Sequence, residues 1–453
     1  MTSNPVRSIG PREPVGTMPF AHEYDVLVVG GGPAGVSAAL AAARLGARTL
    51  VVEQFNCLGG VATAGGHAHI SKYDEEGTRR RIVGGIADEI AHRVVQGGFG
   101  NRNSHGIWFE VEPLKRLLDV MAAEARVDLL YHTFFCESVI EQGRVTGAIV
   151  QSKSGRQTIR AQRVVDCTGD GDVGASAGCP WEMGRPSDHR CQPVTLMFTL
   201  GGVDWDKVSK WRTSYQLQDV WEDAQRHGIM EPFQTTIMGW WWTPSRPDWV
   251  GVNFTHVIHV DSTRAEDLTR ATIEARRQVF HTIDVYRQVV PGMEQCYLVS
   301  TPNTIGIRES RRILGDYVLN GEDVKGQAVF PDTIGYGSFF VDIHHIDGPG
   351  MDHTVWRPPR GFKYHIPYRI LVPRGADNLL TAGRCVSCTH LALGSLRVMV
   401  PCMVMGEAAG TAAALSLRAG VTPRALDVPA LQAQLRAQGA ILDEAGIQRA
   451  QGA

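Results

Sequence analysis

Two groups of residues in this sequence have types and spacings suited to chemistry. The first is a glycine set followed by an acid: Gly30, Gly32 and Gly35 in GGGPAG, and Glu53 further on. A Gly-x-Gly-x-x-Gly spacing serves phosphate binding. Gly30 allows a tight turn, Gly32 lets backbone N–H groups approach a pyrophosphate, and Gly35 lets a helix pack closely on a strand. A carboxylate about 20 residues beyond the glycines accepts ribose hydroxyls and repels a 2′-phosphate, which disfavours NADP and leaves FAD and NAD open. The second group is titratable: His67 and His69 in a glycine-rich loop, His344 with His345, His390, and the arginines of GIRESRR, Arg308, Arg311 and Arg312. Histidine suits proton transfer near neutral pH, and a guanidinium suits a carboxylate-bearing substrate or a cofactor edge. His67 and His390 are the acid–base candidates, and Arg308 is the candidate anchor.

The elements that must position these residues follow from pattern. Asp25–Val29 is an apolar, β-branched run, Val36–Leu45 is alanine-rich and helical, and Thr49–Val52 is a second strand, so the glycines sit at a strand-to-helix turn. The loop after Glu53 carries two glycine pairs that keep it close to something flat, making Gln54, Gly59, Gly60, Ala62 and Thr63 candidate cofactor contacts. Residues 72–112 read as an insertion with a helix over Ile86–Val95. Pro113 opens an amphipathic helix, and VDLLYHTFF, ESVIEQ, RVTGAIVQ and RQTIRAQRVVDCT read as the strands of a β-meander. Gly169, Gly171 and Gly174 repeat the glycine spacing. They are rejected as a second nucleotide site because Asp170 and Asp172 would face the phosphates; the turn reads instead as closing over the first cofactor.

From residue 195 to 364 the composition shifts toward tryptophan. The run Gly239-Trp-Trp-Trp-Thr-Pro244 superficially resembles the Trp-x-Trp-x-x-Pro signature of flavin-dependent halogenases, and reads as a core or substrate-facing strand. The closing stretch runs from a strand ending at Ala382-Gly383-Arg384 into an alanine-rich helix, with Pro401 expected at its first position and Gly406 and Gly410 allowing close packing. A Gly-Arg turn and a helix N-terminus brought back to the nucleotide from the far end of the chain select FAD over NAD.

Composition sets the bounds. The chain has 453 residues, a formal net charge of −2 and nine cysteines. Two domains are expected, with no basic footprint for nucleic acid, and an odd cysteine count suits a reducing cytoplasm. Residues 1–22 read as a flexible arm, since the first 20 hold four prolines and no apolar run, and neither a signal peptide nor a membrane span is expected. No metal site is expected, and a homo-oligomer is allowed.

With GGGPAG, Glu53, LGGVATAGG, VVDCTGDGD, GIRESRR and AGRCVS…LRVMVPC…GEAAG together, the chain resembles the FAD-dependent oxidoreductases of the glutathione-reductase-like superfamily. More closely, it resembles the family related to the flavin subunit of heterodisulfide reductases. The resemblance implies an α/β fold: a Rossmann-like FAD-binding domain with a β-meander over 23–194 and 365–453, plus an inserted α+β substrate domain over 195–364. It implies that Gly30, Gly32, Pro33, Ala34 and Gly35 cradle the pyrophosphate and that Phe135 supplies backbone contacts to adenine. Thr168, Gly169, Asp172, Gly383, Arg384 and the turn from Arg397 through Pro401, Cys402 and Met403 would surround the ribityl chain and flavin. The implied activity is hydride transfer between flavin N5 and a small organic substrate, with an electron acceptor the sequence does not name. Departures narrow it. Val61-Ala62-Thr63 stands where disulfide reductases carry a dithiol, with only Cys57 near, and there is no ferredoxin-type cysteine run. Gly383-Arg384 replaces the Gly-Asp of aromatic hydroxylases. Monooxygenation is therefore the second reading and halogenation the third, with a flavin-free binding protein as the non-catalytic class. Cys385-x-x-Cys388 reads as a packing feature.

Overall fold

The computed structural model describes residues 23–103, 105–214, 217–233 and 239–451; the arm expected over 1–22 lies outside them. Strand β1 (Glu23–Val29), helix α1 (Pro33–Arg44) and strand β2 (Thr49–Val52) form the unit that the glycines imply. The second half of β1 is wholly apolar because it is covered on both faces, with Val26, Leu27 and Val28 fully buried. Helix α2 (Gly85–Gln96) falls within the segment read as an insertion. The run VDLLYHTFF does not form one strand. His132, at φ +54°, breaks it, so that β3 (Asp128–Leu130) joins the parallel sheet beside β2 and Phe134 starts β4 (Phe134–Glu141).

β4 and β5 (Arg144–Ser152) complete the meander with β6 (Gly155–Asp166), the strand that joins the antiparallel and parallel parts of one seven-stranded sheet. Its first half pairs antiparallel with β5, while its last residues run parallel to β1, Val28 opposite Val165 and Val29 opposite Asp166. The end of β6 is thereby carried to the same sheet edge as the glycine turn after β1.

A four-stranded antiparallel sheet, β7 (Phe198–Gly201), β8 (Gly239–Thr243), β9 (Arg246–Asn253) and β10 (Tyr297–Ser300) in the order β8-β9-β7-β10, makes the cap with helix α3 (Ala265–Val289). Its core joins residues between Val194 and Ile305, among them Trp221, Trp240, Phe254 and Tyr286. Trp240 of the tryptophan run belongs to this core, its Nε1 donating to the Tyr286 hydroxyl at 3.1 Å. Leu319, Ile334, Tyr336, Val341, Ile343 and Phe362 pack instead with the residues of α1, so the cap core is narrower than the 195–364 span marked by composition.

Strand β11 (Leu379–Thr381) adds to the parallel sheet beside β6, giving the order β3-β2-β1-β6-β11. Two helices follow, α4 (His390–Leu396) and α5 (Met399–Arg418). α5 lies against α1 so closely that a Cβ on Gly406 or Gly410 would stand 2.0 Å from the carbonyl oxygens of Ala34 and Ala38. It is long and apolar enough to cross a membrane, yet 83% of that stretch is buried inside the fold, as expected of a helix that is hydrophobic all round. The helix begins at Met399, which makes Pro401 its third residue rather than its first. In that first turn the missing N–H still costs no intrahelical bond.

Candidate cofactor and substrate site

A cavity of about 990 Å³ runs from the glycine turn to the cap. At one end the three glycines do different work. Gly30, at φ +96°, would place a Cβ 2.4 Å from the Cys167 carbonyl, and Gly35 would place one 1.8 Å from the Gly30 carbonyl, so both are required by the fold. Gly32 would meet nothing within 4 Å and lines the cavity, leaving open space over the helix N-terminus where a pyrophosphate fits. Glu53 is 4% exposed and borders the same end. It accepts from the N–H of Gly31 at 2.6 Å and of Phe55 at 2.8 Å, while burial raises its pKa against those bonds. The carboxylate therefore holds the turn as well as bordering the cavity.

The residues expected to touch the cofactor divide into two sets. Gly30, Gly32, Pro33, Ala34, Glu53, Gln54, Gly60, Phe135, Thr168, Gly169, Asp172, Gly383, Arg384, Arg397 and Cys402 line the cavity. Gly35, Gly59, Ala62, Thr63, Pro401 and Met403 are not among its lining residues and support it from behind: the Gly59 N–H donates to Gly31, and the Thr63 hydroxyl to Leu58. Asp166 was not singled out in the sequence, yet it organises the turn at the end of β6. Fully buried, it accepts from the Thr168 hydroxyl at 2.7 Å and the Gly174 N–H at 2.9 Å. The second glycine triple has no room for a nucleotide, because a Cβ on Gly171 or Gly174 would lie 2.8 or 2.9 Å from the Ile313 side chain. Arg384 pairs with Asp170 at 2.9 Å, and Asp172 pairs with Arg311; burial and Asp170 push the Asp172 pKa up to about 6.

Beyond the trench the cavity widens under the cap. His67 sits edge-on to Trp241 at 5.0 Å, and His69 stacks on Trp108 at 5.4 Å. His67 Nδ1 and His69 Nε2 are buried without partners. Burial, then repulsion from His69, Arg308 and Arg397, lowers the His67 pKa to about 3; burial lowers His69 to about 4. Both rings are neutral at pH 7. Arg397 pairs with Asp342 at 2.8 Å, and this carboxylate is held below its usual pKa by His344 and the two arginines, which outweigh its burial. His344 lines the cavity and is lowered to about 4 by burial and Arg308.

Of the three catalytic candidates, His67 and Arg308 line this chamber, whereas His390 does not. His390 starts α4 behind the wall, its Nδ1 2.9 Å from both oxygens of Glu309, and its expected place facing the flavin is not realised. The reason is that Glu309, buried between Arg312 at 2.5 Å and the Gln192 N–H, needs every polar partner it has. Arg312 is thereby structural as well. Asp342 escaped the sequence reading: its partner Arg397 is 55 residues away, and the stretch around Asp342 itself carries no local signal.

A glycine turn between strand and helix, an acid at the end of the second strand and a Gly-Arg turn returned from the C-terminal segment define an FAD-binding Rossmann-type flavoprotein. The profile of the FAD-dependent oxidoreductase family matches residues 25–435, and the chain belongs to that family. It is 30% identical over 194 residues to digeranylgeranylglycerophospholipid reductase 2 of Methanothermobacter thermautotrophicus, covering 41% of this chain and 48% of that one. It is 33% identical over 156 residues to thiamine thiazole synthase of Aeropyrum pernix, covering 32% and 54%. The chain thus spans about half the length of these curated relatives. Among solved structures, a geranylgeranyl bacteriochlorophyll reductase-like protein of Thermoplasma acidophilum aligns with a TM-score of 0.47 at 16% identity, over 91% of this chain and 82% of that one. A myxobacterial chondrochloren halogenase aligns at 0.43 and 14%, over 92% and 79%.

Proposed function

We propose that the protein transfers a hydride between N5 of its FAD and a small organic substrate bound in the chamber under the cap. The observation that carries this reading is His67: a neutral imidazole lining the cavity, held edge-on to Trp241, its buried Nδ1 without a hydrogen-bond partner among the described residues. A neutral ring is in the protonation state needed to take the proton released when a C–H bond next to O–H or N–H gives up its hydride. Asp342 and Arg397, paired with each other, keep their charges fixed beside it. The cap strand bearing Trp241 packs its indole against the ring from one side.

The closer kinship with the flavin subunit of heterodisulfide reductases rests on the sequence motifs alone. A reducing cytoplasm is the proposed compartment, which the nine unpaired cysteines support. The experiment is anaerobic mixing of the purified protein with panels of small alcohols, amines and saturated acids, following the visible flavin band. Bleaching by one class, slowed at least tenfold in His67→Ala at unchanged FAD content, is the expected result. Rapid bleaching by NADPH coupled to hydroxylation of an added substrate would replace this reading with monooxygenation.

A further inference from the structure

The walls of the chamber carry a buried charge that, among the described residues, has no carboxylate in direct contact with it. Arg308 lines the cavity and is 7% exposed. Its Nη1 donates to the Pro193 carbonyl at 2.8 Å and to Thr195 Oγ1 at 2.6 Å, and among the described residues no carboxylate lies within 4.0 Å of the guanidinium. A buried guanidinium held only by neutral oxygens is an expensive arrangement. Burial, together with repulsion from Arg397 and against the attraction of the more distant Asp342, brings its pKa down to about 9, which still leaves it charged at neutral pH.

The other charges around the cavity are accounted for. Arg397 has Asp342, Arg384 has Asp170, Asp172 has Arg311, and Glu53 accepts two backbone N–H groups. Arg357 is exposed at the rim, over the Phe340 ring at 5.0 Å, and His67, His69 and His344 are neutral. Among the described residues, Arg308 is thus the one buried cavity-lining guanidinium with no carboxylate within 4.0 Å, Asp342 acting on it only from farther away. The surrounding wall includes Met197, Leu268, Ile305, Phe339 and Met351, which suit an apolar body.

We infer that Arg308 anchors a subsite for a monoanionic organic substrate, in chemical class a carboxylate on an apolar frame. This rests on the chamber being the substrate site. The free face of the guanidinium presents parallel donors that match a planar carboxylate. A single negative charge neutralises the wall. A dianionic phosphate would leave a buried negative charge in place of the positive one, and a neutral ligand would leave Arg308 uncompensated.

The test uses the full-length, FAD-loaded protein and isothermal titration calorimetry at about pH 8, with benzoate as the probe. Benzamide is the neutral counterpart and phenylphosphonate the dianionic one. Benzoate is expected to bind about tenfold to a hundredfold more tightly than either. Arg308→Gln should abolish the preference and Arg308→Lys should keep part of it, with FAD content and Tm as folding checks. No saturable benzoate binding, equal binding of benzamide by the unaltered protein, or a preference that survives Arg308→Gln would overturn the inference. The three-ligand comparison on the unaltered protein is decisive even if a variant fails to fold. Because it reads binding to the oxidised protein, it is independent of the hydride reading. Flavin bleaching by a neutral substrate without benzoate binding removes the subsite alone, and benzoate binding in a protein that no substrate panel reduces removes the hydride reading alone.

Discussion

Glu53 shows how one carboxylate links turn geometry to cofactor retention. Its two oxygens hold the N–H groups of Gly31 and Phe55, one in the glycine turn itself and one in the loop that follows β2. Glu53→Ala strands two donors, each worth about 1–3 kcal/mol when left buried and unpaired, and removes the ribose acceptor at the same time. The expected outcome is a purified protein with most of its FAD missing, measured by the ratio of visible to protein absorbance; Glu53→Gln, which still accepts one bond, should retain more. Stoichiometric FAD in the alanine variant would remove Glu53 from the site. At this scale the glycines were legible because each spacing has a steric reason, and in the structure Gly32 has an open face where those of Gly30 and Gly35 are filled. His390 was not legible in this way: a histidine beside a Gly-Arg turn gives no sign that a buried Glu309 will claim it.

Among the elements, the pair α1 and α5 decides whether the site exists. α1 starts at the pyrophosphate turn, and the first turn of α5 brings Met399 and Cys402 to the cavity, its N-terminus uncapped by any side chain. Their separation is set by Gly406 and Gly410, whose missing side chains admit the Ala34 and Ala38 carbonyls. Gly410→Val must push backbone apart. It is expected to cost at least the 1–3 kcal/mol typical of overpacking, seen as a lower Tm, and to weaken FAD binding as the α5 N-terminus moves. Ala419→Val serves as the surface control, since Ala419 is exposed at the end of α5 with an ordinary φ of −82°. Equal Tm and FAD content in Gly410→Val and the unaltered protein would contradict the packing described.

For the whole molecule, the buried histidines gathered between body and cap make stability depend on pH. Burial lowers His67 and His256 to about 3, and His69 and His344 to about 4. In the unfolded chain each would titrate near about 6.5. Below that value the unfolded state binds more protons than the folded one, so stability is full above about pH 6.5 and falls as the pH drops toward the folded values. Glu407, raised to about 7 by burial, has the opposite sign: its contribution is present at low pH and is lost as the pH rises through about 7. Tm is therefore expected to fall between about pH 6.5 and 5, before most carboxylates titrate, and His256→Gln should flatten that slope. A constant Tm across this window would mean that these rings are not held neutral. The sequence by itself determined the nucleotide half of the protein: the βαβ unit, the glycine turn, Glu53, the Gly-Arg turn and FAD. Those features are local, and their residue types have few other uses at that spacing. Only the tertiary structure decided the chamber. It brought His67, Arg308, Asp342 and Arg397 from four distant segments into one another's electric field, joined residues 319–364 to the main core, and drew His390 out of the cavity. Burial and charge compensation decided those placements, and both are sums over the whole fold that no single stretch of chain records.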